Sequence, residues 1–443
     1  MDHGTHDRPH DLTAQLLGLD GFVVLTAAEV GGELEVLVET TQTVTGCRRC
    51  GVLAAAHGRR EHLVRDIPSA GRPVLLVWSK RLWRCAEPLC PVRTWSETHP
   101  QVRARATLTE RARAWAARRV GQHAETVTAV AKDLGVGWGT VMRAVWEYGA
   151  PLIADPDRLA GVSALGVDEH VWQHAGPGRR GPSFATGIVD LSPGRSPRLL
   201  DVMPGRTGSV YREWIEQQTQ AWRDQIAVAA LDPFRGYATA LRLALPRATR
   251  VLDAFHVVKL GNQVVDEVRR RVQQDTLGHR GHAGDPLYRV RRLLRRGIEH
   301  LTADQLARID TALQAGDPDW EVTIAWHLAQ QLRAAYHHPD PAQGRRNAQR
   351  LLHVLPSCPI REVARLGRTL TAWQGEYLAY FDTDGASNGP TEAMNLLIEK
   401  QRRIGHGYRN FANYRLRLLL HCGITWHTPP TPKIRSRSPR LVA

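Results

Sequence analysis

The sequence predicts a multidomain α+β protein in which small β and helical modules precede a larger domain built on a mixed sheet. Three observations lead to this prediction. The chain has 443 residues, more than one compact core normally holds. Four cysteines in two short-spaced pairs lie near apolar, β-branched segments early in the chain. Further on, strand-like runs alternate with helical ones and are followed by a long helical stretch.

The charge balance favours an anionic polymer as a partner. Lys and Arg number 59 against 44 Asp and Glu, a net charge of +15, and such an excess suits nucleic acid. No apolar run approaches the roughly 20 residues that cross a bilayer, and the polar start lacks the order of a secretory signal. We therefore expect a cytoplasmic protein, in which the six cysteines stay reduced and serve as metal ligands or core residues.

The first predicted strands frame a cysteine cluster. Residues 34–44 and 74–83 alternate or run apolar and contain β-branched side chains, which is typical of strands. Two cysteine pairs, 34 residues apart, lie at the edges of these strands: Cys47, Cys50, Cys85 and Cys90. Four thiolates at this spacing predict a closed, structural zinc site that stabilises a small module. The alternative is two unrelated pairs of free thiols.

Residues 107–148 have helical periodicity and contain a helix-turn-helix pattern. Residues 125–134 and 136–145 place apolar side chains where two short helices would pack across a turn at Gly135. The second helix would lie in the DNA major groove and present three side chains: Trp138, Thr140 and Arg143. Four upstream arginines could hold phosphates: Arg111, Arg113, Arg118 and Arg119. An ordinary helical hairpin is the alternative, but the zinc module and the basic charge favour DNA binding.

A linker near residues 150–162 precedes the larger domain. Strands are predicted at 164–171, 184–191, 198–203, 226–231 and 249–252, with a helix at 209–225 and a short helical stretch ending at Pro246. A three-strand hairpin followed by alternating helix and strand predicts a mixed sheet with helices packed on it. From residue 262 to about 380 the pattern is helical, and the last clear helix begins at Pro390.

Three acidic residues lie where an apolar strand or a new helix would present them. Asp168 interrupts an apolar strand, Asp232 ends one before Pro233, and Glu392 lies in the first turn of the helix beginning at Pro390. A carboxylate in an apolar strand lowers stability unless a cation or hydrogen bonds compensate it. Two strands and a helix terminus could gather the three acids around Mg²⁺ or Mn²⁺, which predicts a two-metal phosphoryl-transfer site.

Each acid taken alone also fits a capping role, because Asp and Glu are common at helix starts. Glu169 and Asp253 are rival candidates for the metal site. Glu169 should point to the opposite face from Asp168, since strand side chains alternate, and Asp253 closes a later strand.

Around these acids the sequence resembles the insertion-sequence transposases of the ISL-three (ISL3) family, over about residues 40–420. Its most specific stretches are residues 251–259 with 266–269, and 387–395 with 407–411. The resemblance implies a ribonuclease-H-like catalytic domain with an Asp, Asp, Glu (DDE) triad and assigns the paired cysteines to a zinc module. It implies these catalytic residues and metal ligands: Asp168, Asp232 and Glu392. His256, in an Asp-x-x-His element similar to one in related transposases, is a further expected catalytic residue, which would contact DNA or shape the site.

The resemblance also implies an activity and partners. A DDE transposase binds the terminal inverted repeats of an insertion sequence as double-stranded DNA, cleaves there with Mg²⁺, and joins the freed ends to target DNA. It would act as a homo-oligomer on DNA and be associated with the nucleoid. Two alternatives stay open: a catalytically idle DNA-binding regulator derived from a transposase, and a ribonuclease-H-like nuclease without strand transfer.

On this basis the sequence divides into six segments. They are a zinc-binding domain at 1–100, a helix-turn-helix domain at 101–152, the first part of the catalytic core at 160–260, a long all-helical insertion at 261–385, the final core helices at 386–425 and a basic tail at 426–443.

Two basic clusters are further candidates for DNA contacts. The cluster after Glu392 combines positive charge with an aromatic side chain and is expected to bind phosphates and stack on exposed bases. It consists of Lys400, Arg402, Arg403, Tyr408 and Arg409. The second cluster lies in the helical insertion, where DNA contact and a solvated charged face are equally good interpretations. It consists of Arg289, Arg291, Arg292, Arg295 and Arg296.

Overall fold

A computed structural model describes residues 12–176 and 181–426. Within these ranges the chain divides into two compact units. The first contains the described residues up to Asp155, together with Ile404–His406 and those from Ala412 onward; the second contains Pro156–Arg403 and Gly407–Phe411. The polar N-terminal start, part of the turn near 176–182 and nearly all of the expected basic tail lie outside the described residues. In the ranges described, no helix combines the length and apolar character that membrane crossing needs.

The first unit begins with a short helix and a five-stranded sheet. Its elements are α1 (Leu12–Leu17), β1 (Phe22–Val30), β2 (Glu33–Thr40), β3 (Ala54–Ser69), β4 (Arg72–Cys85) and β5 (Thr94–Ser96). The strand order is β1-β2-β4-β3, and β5 pairs with β4. The predicted strands β2 and β4 are confirmed, because their alternate side chains, such as Val36 and Trp78, fill the core. β3 was not predicted, because residues 55–61 are all exposed and show no alternation of apolar side chains.

Three helices follow in the same unit: α2 (Glu110–Gly121), α3 (Val127–Asp133) and α4 (Trp138–Ala154). The Thr126 hydroxyl caps α3 by accepting from the backbone N–H of Ala129. Gly135 makes the turn with φ +62°, and the predicted apolar side chains, among them Leu134 and Val145, are buried. The expected helix end before Pro151 is wrong, since α4 continues through this residue to Ala154.

The second unit begins with a mixed sheet. Its strands are β6 (Ala164–Gln173), β7 (Ser183–Asp190), β8 (Arg198–Pro204), β9 (Val228–Leu231) and β10 (Thr249–Leu252). The strand order is β10-β9-β6-β7-β8. β7 is antiparallel to both β6 and β8, whereas β9 and β10 run parallel to β6. The predicted mixed sheet is therefore confirmed, and the carboxyl ends of three parallel strands meet at one edge.

Helices surround this sheet and fill the rest of the unit. They are α5 (Gly208–Glu216), α6 (Gln220–Asp224), α7 (Arg235–Ala244), α8 (Ala254–Leu277), α9 (Pro286–Val290), α10 (Ala303–Gly316), α11 (Glu321–Tyr336), α12 (Pro341–Val354), α13 (Arg361–Ala372), α14 (Gln374–Asp382) and α15 (Gly389–Ile404). The single helix predicted at 209–225 is wrong. Two helices replace it, because the Thr219 hydroxyl accepts from the backbone N–H of Trp222 and starts α6 anew.

A further helix, α16 (Phe411–Cys422), follows α15 within the segment 386–425, for which final core helices were expected. Its residues from Ala412 onward belong to the first unit. There Leu416 and Leu420 are fully buried in the same hydrophobic cluster as Val130 and Val145. The helix-turn-helix core is thus completed by a segment that lies more than 250 residues further along the chain.

Candidate active site

Three aspartates lie in one row across the parallel strands of the second unit. Gly166 of β6 pairs with Ala230 of β9, and Leu231 of β9 pairs with Leu252 of β10. Both registers, continued by one or two residues, reach an aspartate within or directly after each strand. These are Asp168, Asp232 and Asp253. Neighbouring strands are about 4.8 Å apart and side chains in one row share a face, so the three carboxylates crowd one edge of the sheet.

His256 joins three acidic side chains at this edge. Asp253 is the N-cap of α8, and its Oδ2 accepts hydrogen bonds from the backbone N–H of His256 at 3.1 Å and from its ring Nδ1 at 3.0 Å. The other ring nitrogen, Nε2, lies 3.0 Å from Oδ2 of Asp232. The ring Nδ1 also lies 4.0 Å from Oε1 of Glu392. Glu392 therefore lies next to His256, beside Asp232 and Asp253.

Hydrogen bonds from Asn388 hold the start of α15 against the sheet. This residue is fully buried. Its Nδ2 donates to the carbonyl of Val167 at 3.0 Å and to Oδ1 of Asp232 at 3.3 Å, and its backbone N–H donates to Oδ1 of Asp253 at 2.8 Å. One residue thus contacts two of the aspartates, Asp232 through its side chain and Asp253 through its backbone, and holds the start of the helix that carries Glu392.

Only glycine at position 166 permits this close approach. A Cβ on Gly166 would lie 2.6 Å from Oδ1 of Asn388 and closer still to Oγ1 of Thr391. Both neighbours are almost completely buried in the first turn of α15 or just before it. The glycine in the strand therefore sets the distance between β6 and the helix of the third acid.

Asn395 connects α15 to the first aspartate. It lies three residues after Glu392, so both side chains project from one face of the helix. Its Nδ2 donates to Oδ2 of Asp168 at 2.5 Å, while the backbone N–H of Glu169 donates to Oδ1 at 2.8 Å. Both carboxylate oxygens of Asp168 are therefore oriented by the protein.

The carboxylates are poorly solvated and repel one another. Burial raises the pKa of Asp232 to about 7, and the charge of Asp168 adds to this effect. Burial likewise raises the pKa of Asp168 to about 6, with the charges of Glu169 and Glu392 contributing. The pKa of Glu392 is also raised, chiefly by burial. Such a cluster favours the presence of a cation.

His256 provides one positive charge of this kind. Burial alone would lower its pKa, but the hydrogen bond to Asp253 and the charge of Asp232 raise it overall. One oxygen of Asp232, one oxygen of Asp253 and one ring nitrogen of His256 lie within 4.8 Å of one another. These three residues form an alternative ligand set for a metal ion, beside the expected set of Asp168, Asp232 and Glu392.

The rival acid Glu169 faces a different helix. Its Oε2 accepts a hydrogen bond of 3.4 Å from the hydroxyl of Tyr237 on α7, whereas Asp168 contacts Asn395 on α15. This divergence is expected from the alternation of strand side chains. Asn388 and Asn395 were not singled out from the sequence. The spacing of Asn395, one turn beyond Glu392, is the signal that could have identified it.

The basic residues after Glu392 differ in their exposure. Lys400, Arg403 and Arg409 are exposed, but the side chain of Arg402 is only 13% exposed. Arg402 and Arg403 both form ion pairs with Glu399 and lower the pKa of this residue to about 2. Tyr408 is half-buried, and its carbonyl accepts from Nε2 of Gln173 at 2.6 Å.

In the first unit, the four predicted cysteines converge. Sγ of Cys47 lies 3.7 Å from that of Cys90, Sγ of Cys50 lies 3.5 Å from that of Cys85, and all four lie within 4.8 Å of one another. Tetrahedral zinc with Zn–S bonds of about 2.3 Å requires sulfur separations of about 3.8 Å. Backbone hydrogen bonds from Cys50 and Arg49 lower the pKa of Cys47 to about 6, which favours the thiolate. The cluster is a structural zinc site.

The three residues predicted to contact DNA lie in the first two turns of α4. Trp138 is 50% exposed, Arg143 is exposed and Thr140 is half-buried. The suggestion that Arg111 and Arg113 hold phosphates is not supported, since both have internal carboxylate partners. Arg111 donates to the buried Asp66, with Nε 2.9 Å from Oδ1, and Arg113 pairs with Glu147. Arg119 likewise pairs with Glu125, and Arg118 lies beside it on α2.

Comparison with known proteins gives a consistent result along the chain. A family model described as "zinc-finger of transposase IS204/IS1001/IS1096/IS1165" matches residues 43–90. A second, "Helix-turn-helix domain of transposase family ISL3", matches residues 97–148. A third, the ISL3 model described as "Transposase", matches residues 165–418.

Two curated relatives are also transposases of insertion sequence elements. The transposase for insertion sequence element IS1001 of Bordetella parapertussis is 27% identical over 397 residues, which are 88% of this chain and 91% of the relative. The transposase for insertion sequence element IS1557 of Mycobacterium tuberculosis is 25% identical over 303 residues, 64% of this chain and 65% of the relative.

Among solved structures, the Drosophila P element transposase strand transfer complex aligns with 73% of this chain and 95% of that chain, at 11% identity and a TM-score of 0.40. A TM-score this low does not support any conclusion about the fold or function of this chain. The family assignment depends instead on the matched models, of which the transposase model alone covers more than half of the 443 residues. With the zinc-finger and helix-turn-helix models matching in order before it, the chain belongs to transposase family ISL3.

Proposed function

We propose that this chain is a DDE transposase that binds the terminal inverted repeats of an insertion sequence, cleaves DNA there in a Mg²⁺-dependent reaction and transfers the freed ends to target DNA. One observation carries the proposal. Asp168 within β6 and Asp232 directly after β9 lie side by side on adjacent parallel strands, and Glu392 lies beside the same cluster, 4.0 Å from the ring of His256.

The strand order supports a ribonuclease-H-like core. Three antiparallel strands, β8, β7 and β6, are followed by two strands parallel to β6, and the second aspartate ends the first of these parallel strands. Helices from the later part of α8 through α14 separate β10 from the helix of the third acid. In this proposal they form a helical insertion at about residues 261–385, between the two parts of a catalytic core. The first part is at 160–260, and the second is the portion of 386–425 before Ala412, since the residues from Ala412 onward belong to the first unit.

The donor set fits a hard divalent cation. Asp168, Asp232 and Glu392 supply oxygen ligands, and the raised pKa values of all three indicate a site short of positive charge. These three residues would hold Mg²⁺ or Mn²⁺. When bound, the ions would activate the attacking water or 3′-hydroxyl and stabilise the leaving oxygen.

The surrounding side chains act on the orientation of the acids. Asn395 and the backbone N–H of Glu169 hold the two oxygens of Asp168, and Asn388 holds Oδ1 of Asp232. His256, fixed by Asp253, presents Nε2 to Asp232. In this proposal His256 and Asp253 shape the site and are not members of the triad.

The remaining parts of the chain would recognise DNA. The exposed start of α4, with Trp138, Thr140 and Arg143, is suited to the major groove because its opposite face is buried in the helix-turn-helix core. The zinc module precedes it in the chain. After the third acid, three residues would bind phosphates or exposed bases: Lys400, Tyr408 and Arg409. Arg402 and Arg403, also expected to do so, instead pair with Glu399. Two ends must be joined in one reaction, so the enzyme would act as a homo-oligomer on DNA.

The test is Mg²⁺-dependent cleavage and joining of duplexes that carry the inverted repeats flanking the gene. Asp232→Asn should reduce cleavage to below about one thousandth while binding to the same duplex stays unchanged. Asp275→Asn, an exposed acid on α8, is the matched control and should retain activity. Wild-type protein that binds but never cleaves would indicate a regulator, and cleavage without joined product would indicate a nuclease.

A further inference from the structure

A short segment of the second unit places its apolar and its basic side chains on opposite sides. Residues 286–296 comprise α9 and the helical turns that follow it. Leu287, Val290 and Leu294 are at most 2% exposed and anchor the segment in the core. At the intervening positions, with the helical spacing of three or four residues, lie exposed arginines. They are Arg289, Arg292, Arg295 and Arg296, and we call them the arginine face.

None of these arginines has a carboxylate partner among residues 12–176 and 181–426. Arg289 donates to the carbonyl of Ala283 at 3.2 Å and Arg296 to Oε1 of Gln305 at 3.4 Å, both neutral acceptors. Some exposed arginines on other helices of the unit do have carboxylate partners. Arg345 of α12 pairs with Asp382, and Arg365 of α13 pairs with Glu267. The positive charge of the arginine face is thus uncompensated within the part of the chain that is described.

The segment is also held in place by stacked cations. The guanidinium of Arg291 lies 3.8 Å from the ring centre of Tyr288, and the buried Arg269 lies 5.8 Å from the same ring. Nη1 of Arg291 donates to the carbonyl of Tyr288 at 2.7 Å. These contacts fix the backbone that carries the arginine face, so a partner would meet a preformed row of guanidinium groups.

We propose that the arginine face is a binding surface for the phosphates of duplex DNA, separate from the helix-turn-helix and from the cluster after Glu392. The proposal rests on the DNA-binding function proposed above. Guanidinium groups bind phosphate oxygens in pairs and keep their charge at any physiological pH. A row of them at helical spacing, about 5 to 6 Å apart, suits a polymer with regularly repeated charges.

The test compares two charge-matched triple variants of the full chain. In the first, Arg292→Gln, Arg295→Gln and Arg296→Gln remove three charges of the arginine face. In the second, Arg345→Gln, Arg346→Gln and Arg350→Gln remove three charges from α12, where two of the arginines have carboxylate partners. The probe is a fluorescent duplex of about 40 base pairs and arbitrary sequence, and its affinity is measured over a series of salt concentrations. Thermal melting checks that both variants are folded.

For the first variant, the slope of log affinity against log salt should become shallower by about 3, near one phosphate contact for each arginine, whereas the control slope should change by less than about 1. If wild-type protein binds the duplex and the first variant has the wild-type slope, the inference is wrong. The same result is expected if the arginine face binds an acidic protein instead of DNA. If wild-type protein does not bind the duplex at all, the proposed function itself fails.

Discussion

The side-chain amide of Asn395 donates a hydrogen bond of 2.5 Å to Oδ2 of Asp168, so a residue on α15 orients the acid on β6. The two are separated by 227 positions in the chain. Because Glu392 lies one helical turn before Asn395, the helix that presents the third acid also orients the first. The carboxylate of Asp168 and the helix of Glu392 are therefore fixed relative to each other.

Asn395→Ala should lower the rate of Mg²⁺-dependent cleavage by about 10- to 100-fold, because an unrestrained Asp168 binds the metal less well. The Mg²⁺ concentration for half-maximal rate should rise, and saturating Mg²⁺ should restore part of the rate. Asn347→Ala on α12 is the control. A variant that melts at lower temperature but keeps the wild-type Mg²⁺ dependence would show that Asn395 has only a structural role.

Gly166→Ala should destabilise the second unit by about 1 to 3 kcal/mol and abolish cleavage, because the new Cβ would overlap the start of α15. Chemical unfolding measures the stability. Gly187→Ala on the neighbouring strand β7 is the control, since the nearest atom to a Cβ there lies 3.8 Å away. Equal stability of both variants would contradict the close packing of α15 on β6.

Cys90→Ser should release the zinc ion, unfold the first module and greatly weaken binding to inverted-repeat DNA, because four thiolates hold one ion and the fold around it. Metal analysis should find about one zinc per chain in the wild type and much less in the variant. Cys358→Ser, a half-buried thiol of the second unit, should keep its zinc. Full zinc content in Cys90→Ser would exclude the proposed ligand set.

Arg271→Met should destabilise the second unit by about 3 kcal/mol near neutral pH. The Arg271 guanidinium lies 2.8 Å from Glu362 and 2.8 Å from Glu321, and so connects α8 with α13 and α11. Removing it leaves Glu362, whose side chain is only 7% exposed, without this partner. Arg270→Met is the control, because Arg270 pairs with Asp266 at a site where its own side chain is 56% exposed, and should change stability by less than about 1 kcal/mol.

The effect of Arg271→Met should also depend on pH. Burial alone would raise the pKa of Glu362, but the hydrogen bonds from Arg271 outweigh it and lower this pKa overall. A lowered pKa stabilises the fold above the ordinary Glu value of about 4.3, and this stabilisation is lost as the pH falls through the folded-state value. The stability difference between wild type and variant should therefore shrink below about pH 4. A constant difference would contradict a charge-based role.

Much of the second unit was predictable from local pattern. Its five strands are short apolar runs bounded by Gly and Pro, and the start of α15 is indicated by Pro390. The zinc ligands were predictable from their spacing alone. The exposed part of β3 was not, because a strand without a buried face has no alternation of apolar side chains.

The details of the site depend on tertiary contacts that have no local signal. Asn388 reaches the carbonyl of Val167 across 221 positions, and no sequence pattern specifies this pairing. From the sequence, Asp253 was only a rival candidate for the metal site. The register of β9 with β10, which no local pattern specifies, places it beside Asp232. The sequence therefore singled out the acids that the fold brings near one another but not the amides that orient them.

Binding of Mn²⁺, measured by electron paramagnetic resonance, tests the proposed metal ligands most directly. Asp168→Asn, Asp232→Asn and Glu392→Gln should each weaken Mn²⁺ binding by about tenfold or more, while His256→Ala should have a smaller effect. If Asp168→Asn and Glu392→Gln bind Mn²⁺ like the wild type but His256→Ala and Asp253→Asn do not, the metal site consists of Asp232, Asp253 and His256, and the proposed triad is wrong.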